Sequence, residues 1–327
     1  MQECQVLPPR LDNVRNLSGL LQRWLVRTPV VRCRGLESRL HTSAELYAKL
    51  EFLQQTGTFK PRGALSTVLG FASSELRAGI TAVSAGNHAI AAAFAARAVG
   101  TSARVVMIRS ASPVRVEACR SLGAEVVLAD DVHQAFALVE EIRDQEGRAF
   151  VHPFEGPAVA TGTATLGLEI CEQVEDLDAI IVPIGGGGLC AGIASAVKRL
   201  RPDCRVIGVE PEGADTMTRS FAANRPVAID KVDTIADSLG APFALPYSFA
   251  LCRRYVDDLV QVSDEEIRAA MNCLFHEMKV AVEPACAAST AALAGALLDE
   301  LAGKKVVLLF CGSNIDWPTF ARHARLP

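Results

Sequence analysis

Short, nearly continuous apolar runs separated by alanine-rich helical stretches do most to limit what this chain can fold into. Thr81-Ala82-Val83 leads through a glycine-containing loop into a helical stretch over residues 89–99, and Arg104-Val105-Val106-Met107-Ile108 follows. Glu125-Val126-Val127-Leu128, Ala179-Ile180-Ile181-Val182, Arg205-Val206-Ile207-Gly208-Val209 and Lys305-Val306-Val307-Leu308-Leu309-Phe310 repeat the theme. Strands without polar alternation are covered on both faces, which is the habit of parallel sheets flanked by helices. The expected class is α/β, with two open doubly wound sheets. Residues 1–79 and 150–327 are expected to form a large domain, and residues 80–149 a smaller inserted α/β domain.

Ligands of such sheets bind beyond the carboxyl ends of the strands. Three chemically loaded segments stand there: Ser84-Ala85-Gly86-Asn87-His88, Gly185-Gly186-Gly187-Gly188 and Cys311-Gly312-Ser313-Asn314. Upstream lies Gly57-Thr58-Phe59-Lys60-Pro61-Arg62-Gly63-Ala64. A lysine in apolar surroundings can lose its proton and attack a carbonyl, and Phe59 supplies part of such surroundings to Lys60. Four glycines between a strand and a helix offer unobstructed N–H groups to an anion. An aldehyde cofactor with a phosphate uses both, and pyridoxal phosphate is that molecule.

Composition narrows the remaining classes. The 327 residues carry a formal net charge of −4 without a long basic run, which argues against nucleic acid or an anionic membrane as partner. Half the residues are apolar and 21% are charged, a globular profile. No apolar stretch reaches the roughly 18–20 residues of a membrane span. Met1-Gln2-Glu3-Cys4-Gln5 has neither a basic nor an apolar leader segment, so no signal peptide is expected. Ten scattered cysteines without Cys-x-x-Cys spacing read as reduced thiols. A cytoplasmic homodimer acting on a small amino acid is the expectation.

Together these segments resemble the pyridoxal-phosphate-dependent serine/threonine dehydratase family, with its tryptophan-synthase-β-like fold. His152-Pro153-Phe154, Thr161-Gly162-Thr163, Thr234-Ile235-Ala236-Asp237 and Glu283-Pro284-Ala285 extend the likeness from about Leu25 to Asn314. The resemblance implies that Lys60 carries the cofactor as a Schiff base and then acts as the base at the substrate Cα. It places the phosphate on Gly185, Gly186, Gly187, Gly188 and Leu189, and Phe59, Asn87, Glu283 and Cys311 around the ring. Asn87 is expected to bond the phenolic oxygen. Ser84, Ala85, Gly86, Asn87 and His88, at a helix N-terminus, would take the substrate carboxylate. His88 is equally readable as a satisfied loop histidine.

Cys311 stands where the family has Ser or Cys beside the pyridine nitrogen. A neutral thiol cannot hold that nitrogen protonated, which suits β-elimination and disfavours transamination. Glu210 and Ala214 match a cation-binding loop of some family members. There Thr216 replaces the second carboxylate and Asp215 falls one residue early, so solvated surface acids are the expected reading and a divalent or monovalent cation the alternative.

The expected reaction is removal of the β-hydroxyl of an amino acid such as L-threonine or L-serine, giving a 2-oxo acid and ammonia. A bulkier substrate, phenylserine or hydroxyaspartate, stays open, and Ser238 stands where many family members have Gly. The rival is amino-acid racemisation, for which family racemases use a Ser at the position of Ala85. A silent binding protein on the same fold would have lost the lysine or the glycines. No long segment follows Asn314, so an appended amino-acid-sensing domain is not expected.

Overall fold

The computed structural model describes residues 6–326; Cys4 and the leader reading of the first five residues lie outside them. Among the described residues the strands are β1 (Val30–Arg32), β2 (Glu45–Leu50), β3 (Ile80–Val83), β4 (Ala103–Ile108), β5 (Glu125–Ala129), β6 (Ala149–Phe150), β7 (Ala179–Pro183), β8 (Arg205–Pro211), β9 (Asp258–Val262) and β10 (Lys305–Phe310). The helices are α1 (Leu11–Leu21), α2 (Arg34–Arg39), α3 (Lys60–Leu69), α4 (Ser73–Ala78), α5 (Asn87–Val99), α6 (Pro113–Ser121) and α7 (Val132–Glu146). They continue with α8 (Pro157–Gln173), α9 (Gly188–Leu200), α10 (Thr216–Ala223), α11 (Pro246–Tyr255), α12 (Asp264–Met278), α13 (Pro284–Ala294) and α14 (Trp317–His323).

Six strands form one sheet in the order β1-β2-β10-β7-β8-β9, and four form another in the order β5-β4-β3-β6. All pairings are parallel except β1 with β2. That antiparallel rim departs from an all-parallel expectation. β1 is an edge strand of three residues, none fully buried, whose Arg32 pairs with Glu37 and Glu45. An antiparallel edge on a parallel sheet needs only one covered face.

The central strands behave as their apolar runs require. Every residue of β7 and all but the first of β10 are buried, with α13 packed on both strands and α9 on β7. The larger core gathers β7, β8 and β10 with α9 and α13. The second core joins β3 and β4 to α5 and reaches back to Leu21, Leu25, Leu65 and Val68. The strands of the smaller sheet thus fall within residues 80–150, while its packing draws in α3. Helix α3 touches both α5 and α8, which puts its first residue, Lys60, in the cleft between the two sheets.

One further polar feature fixes α3. Arg62, two residues after Lys60, is buried and uses all five of its N–H groups. Nε and Nη2 donate to Glu51, Nη1 and Nη2 to Glu169, and Nη1 also to Thr165, at 2.7–3.1 Å. Lys49 is buried beside it, with Nζ donating to Glu169 at 2.6 Å, to the Thr28 carbonyl at 2.8 Å and to Gln173 at 2.8 Å. Two cations and two anions therefore cancel out of reach of water.

Candidate active site

Three strand ends converge on one cleft. The glycine loop follows β7, Cys311 follows β10, and Asn87 opens α5 after β3. The cleft between them holds about 450 Å3 of space, part of it open to solvent. Its walls are Phe59, Lys60, Asn87, Phe154, Gly185, Gly186, Gly187, Gly188, Leu189, Ser238, Leu239, Glu283 and Cys311. Every residue expected around the cofactor is thus on one surface. A roomier depression lined by Arg39, Arg268, Asn272 and Glu277 contains no such convergence of amine and glycines.

Lys60 is half-buried; its Nζ donates to the Pro153 carbonyl at 2.8 Å and lies 5.2 Å from the centre of the Phe59 ring. Burial pushes the amine down to about 8, against the opposing pull of Cys311 and Glu283. In cofactor-free protein, acylation of Lys60 by a small anhydride should therefore rise with a midpoint near pH 8. An ordinary lysine titrates near about 10.4, and that midpoint at Lys60 would show a solvated amine.

The glycine loop leaves no room for side chains. A Cβ on Gly188 would stand 2.1 Å from the Phe154 carbonyl oxygen, and one on Gly186 would be 2.3 Å from the Phe154 ring. Gly187 has φ +87°, a left-handed conformation that glycine adopts without strain. Because α9 begins at Gly188, its first N–H groups lack partners within the helix and face the cleft end.

Asn87 is buried opposite. Its Nδ2 donates to both oxygens of Glu283 at 2.9 and 3.0 Å and to Ser238 Oγ at 3.3 Å, while its Oδ1 accepts from Asn314 Nδ2 at 2.9 Å. Glu283 is buried, and burial raises its carboxyl against the bond from Asn87 and the charge of Arg115. Cys311 touches the Cys286 thiol; that contact and burial push it far up, so it stays a neutral thiol.

One expectation is corrected, and one left open meets an observation. His88 Nε2 donates to the Val151 carbonyl at 2.7 Å, as a satisfied histidine does, and burial lowers the imidazole to about 3. Ser84 Oγ accepts from the Gly86 N–H at 3.1 Å and keeps its own O–H to donate, and α5 opens with backbone N–H groups that lack helical partners. Glu210 is neither a solvated acid nor a free cation ligand. Its two oxygens accept from the N–H groups of Met217 and Thr218 and from the Thr218 hydroxyl, each at 2.7 Å, at the start of α10. Burial raises it to about 7. Asp215 is tied to Arg219 and Gln261, so both carboxylates near this loop already have partners. Among the described residues, no cluster of three or more His, Cys, Asp or Glu side chains is placed to hold a metal ion.

Sequence reasoning missed Arg115, Asn314 and the Pro153 carbonyl. A signal for Arg115 was there: it follows Ser112-Pro113 in the first turn of α6, where a cation opposes the helix dipole and so needs partners elsewhere.

The family model described as pyridoxal-phosphate dependent enzyme matches residues 21–312. The chain belongs to the pyridoxal-phosphate dependent enzyme family. It is 54% identical to the phenylserine dehydratase of Ralstonia pickettii over 318 residues, 97% of each chain. It is 38% identical to the catabolic L-threonine dehydratase of Escherichia coli strain K12, covering 95% of this chain and 94% of that one. Among solved structures, maize serine racemase superposes with a TM-score of 0.90 at 31% identity, covering 97% of each chain. Lyases and a racemase thus share this fold, and only the site can separate them.

The residues present fit the family's cofactor. A dianion suits the side-chain-free glycine loop, an aldehyde suits the depressed amine of Lys60, and the ring would lie between Phe59, Asn87 and Cys311. Among the described residues no helix is long and apolar enough to cross a membrane.

Proposed function

We propose that this pyridoxal-phosphate dependent enzyme is a lyase that removes the β-hydroxyl of a β-hydroxy-α-amino acid, releasing a 2-oxo acid and ammonia. Bound in the cleft, pyridoxal phosphate supplies an aldehyde for amines and a ring that draws electrons from the substrate Cα. The chain supplies the rest. N–H groups of the Gly185–Gly188 loop would hold the phosphate, and the Asn87 amide, oriented by Glu283 and Asn314, would meet the ring oxygen. Backbone N–H groups at the start of α5 take the substrate carboxylate. Lys60 removes the Cα proton. The β-hydroxyl then leaves as water, and the released enamine takes up one water to become 2-oxo acid and ammonia, which balances the reaction.

One observation carries the choice of lyase over racemase: Ala85, beside Ser84 at the opening of the loop, has no group that can move a proton. Inversion needs a second acid on the face of Cα away from Lys60, and a methyl group cannot serve. The neutral thiol of Cys311 leaves the pyridine nitrogen without a counter-charge, which favours elimination over transamination.

For the substrate, we infer an aryl-bearing β-hydroxy amino acid of the phenylserine kind. Phe154 lines the cleft and Phe243 stands behind it, with ring centres 6.3 Å apart, and Leu239 adds apolar surface. The 54% identity to a phenylserine dehydratase supports this. Assembly as a cytoplasmic homodimer belongs to the same proposal; the exposed Leu53 and Trp317 offer apolar surface to a second copy. Assaying 2-oxo acid and ammonia from phenylserine, threonine, serine and hydroxyaspartate tests the reading. Phenylserine should give kcat/KM about tenfold or more above threonine, as burial of a ring allows. Threonine ahead of phenylserine would refute the substrate, and no 2-oxo acid from any of the four would refute the reaction.

A further inference from the structure

The cleft is bridged at its mouth by few groups. Among the described residues, the hydrogen bonds and ion pairs that side chains make between residues 80–150 and residues 230–327 all involve Asn87 or Arg115. Asn87 belongs to the site already described. Arg115 stands on α6, a helix packed against α5 and β5 on the small-sheet side, yet its polar partners lie on the other side. Nη1 and Nη2 donate to Asp237 at 2.5 and 3.5 Å, Nε donates to the Asn314 carbonyl at 3.3 Å, and Nη2 stands 4.0 Å from Glu283.

Two features make this more than a surface pair. The guanidinium lies over the loop: a Cβ on Gly86 would be 3.0 Å from Nη1, so a side chain there would crowd it. The Arg115 side chain is 11% exposed, whereas that of Asp237 is 56% exposed, so the bridge is held from inside and can be broken from outside. Its partners are also those of the cofactor-side amide. Ser238, next to Asp237, bonds Asn87, as do Glu283 and Asn314. Local helix energetics disfavour a cation in this turn, so the cross-cleft partners are what hold it.

We propose that Arg115 is a positioning residue for the substrate: it latches the loop Ser84-Ala85-Gly86 against Asp237, Glu283 and Asn314, closing the site over a bound amino acid. The inference rests on the lyase reading for its substrate. Entry and exit of the amino acid require the exposed Arg115–Asp237 end to let go. Screening by salt should loosen it, since interactions of exposed charges fade within about 10 Å at 0.1 M salt.

The test uses the cofactor-loaded enzyme with Arg115→Ala, Arg115→Lys and Asp237→Asn, and reads steady-state kinetics and amide hydrogen exchange at residues 84–88. Arg115→Ala should raise KM by about 10- to 100-fold with kcat changed much less, the size expected when a bound reactant loses its alignment and closure. Exchange at residues 84–88 should quicken by about tenfold as local opening becomes easier. Arg115→Lys should recover part of both, because it keeps the charge and loses the fork. Asp237→Asn, which empties no buried space, should raise KM in the same direction. If Arg115→Ala does not fold, Asp237→Asn carries the test alone. Unchanged exchange, or a fall in kcat with KM unmoved, would overturn the latch. Exchange is read without turnover, so failure of every candidate substrate would count against the lyase reading and leave the latch to be decided.

Discussion

The Lys60→Ala enzyme should fold as the wild type does and lose turnover by about 10⁴-fold or more, since both the amine that holds the cofactor and the base at Cα are gone. Little packing depends on this side chain. Its amine makes one hydrogen bond, to Pro153, and the residue is half-buried at the edge of a cleft. Borohydride treatment of the wild type should fix the cofactor on Lys60 and on no other lysine. A folded Lys60→Ala protein that still turns substrate over would sink the mechanism.

Replacing Arg62 by Met should destabilise the chain by about 3–5 kcal/mol, because it leaves buried Glu51 without a cationic partner and Glu169 with Lys49 alone. Glu51 and Glu169 are both buried, and Arg62 forks to each of them. Burial alone would raise Glu169, but Arg62 and Lys49 outweigh it and hold the carboxyl below its ordinary value. A depressed carboxyl contributes stability that is present above its unfolded pKa and lost as pH falls through the folded one. In Arg62→Met that depression is lost and burial favours the protonated carboxyls, so the deficit against the wild type should shrink as pH falls toward 4. The urea midpoint followed from pH 7 to pH 4 measures both effects. A midpoint like that of the wild type at pH 7 would mean that the cluster contributes no stability.

What could be read from the sequence divides along physical lines. The parallel strands were legible because burial on both faces leaves an unbroken apolar run, as in β7 and β10. β1, β6 and β9, short or half-exposed, and β2, whose run is broken by Tyr47 and Lys49, were not foreseen. Lys60 and the glycine loop were legible because their chemistry dictates residue type in place. Lys49 and Arg62 look like ordinary cations in sequence; only folding brings Glu51 and Glu169 to them across as many as 120 residues. Glu210 read as a solvated acid or a cation ligand, since nothing in the string shows that it faces the start of α10. His88 stayed open between two readings for a similar reason: its partner is a backbone carbonyl on a distant segment. Long-range pairings between polar groups carry no local pattern, and these are the groups the sequence misplaced or left open.

Chiral chromatography of a wild-type reaction, with 2-oxo acid and ammonia quantified in the same sample, tests the central claim most directly. With L-threo-phenylserine or L-threonine as substrate, 2-oxo acid and ammonia should appear in equal amounts, with little inverted amino acid, because Ala85 offers no proton to the face of Cα opposite Lys60. Amino acid inverted at Cα as fast as 2-oxo acid appears would contradict the account.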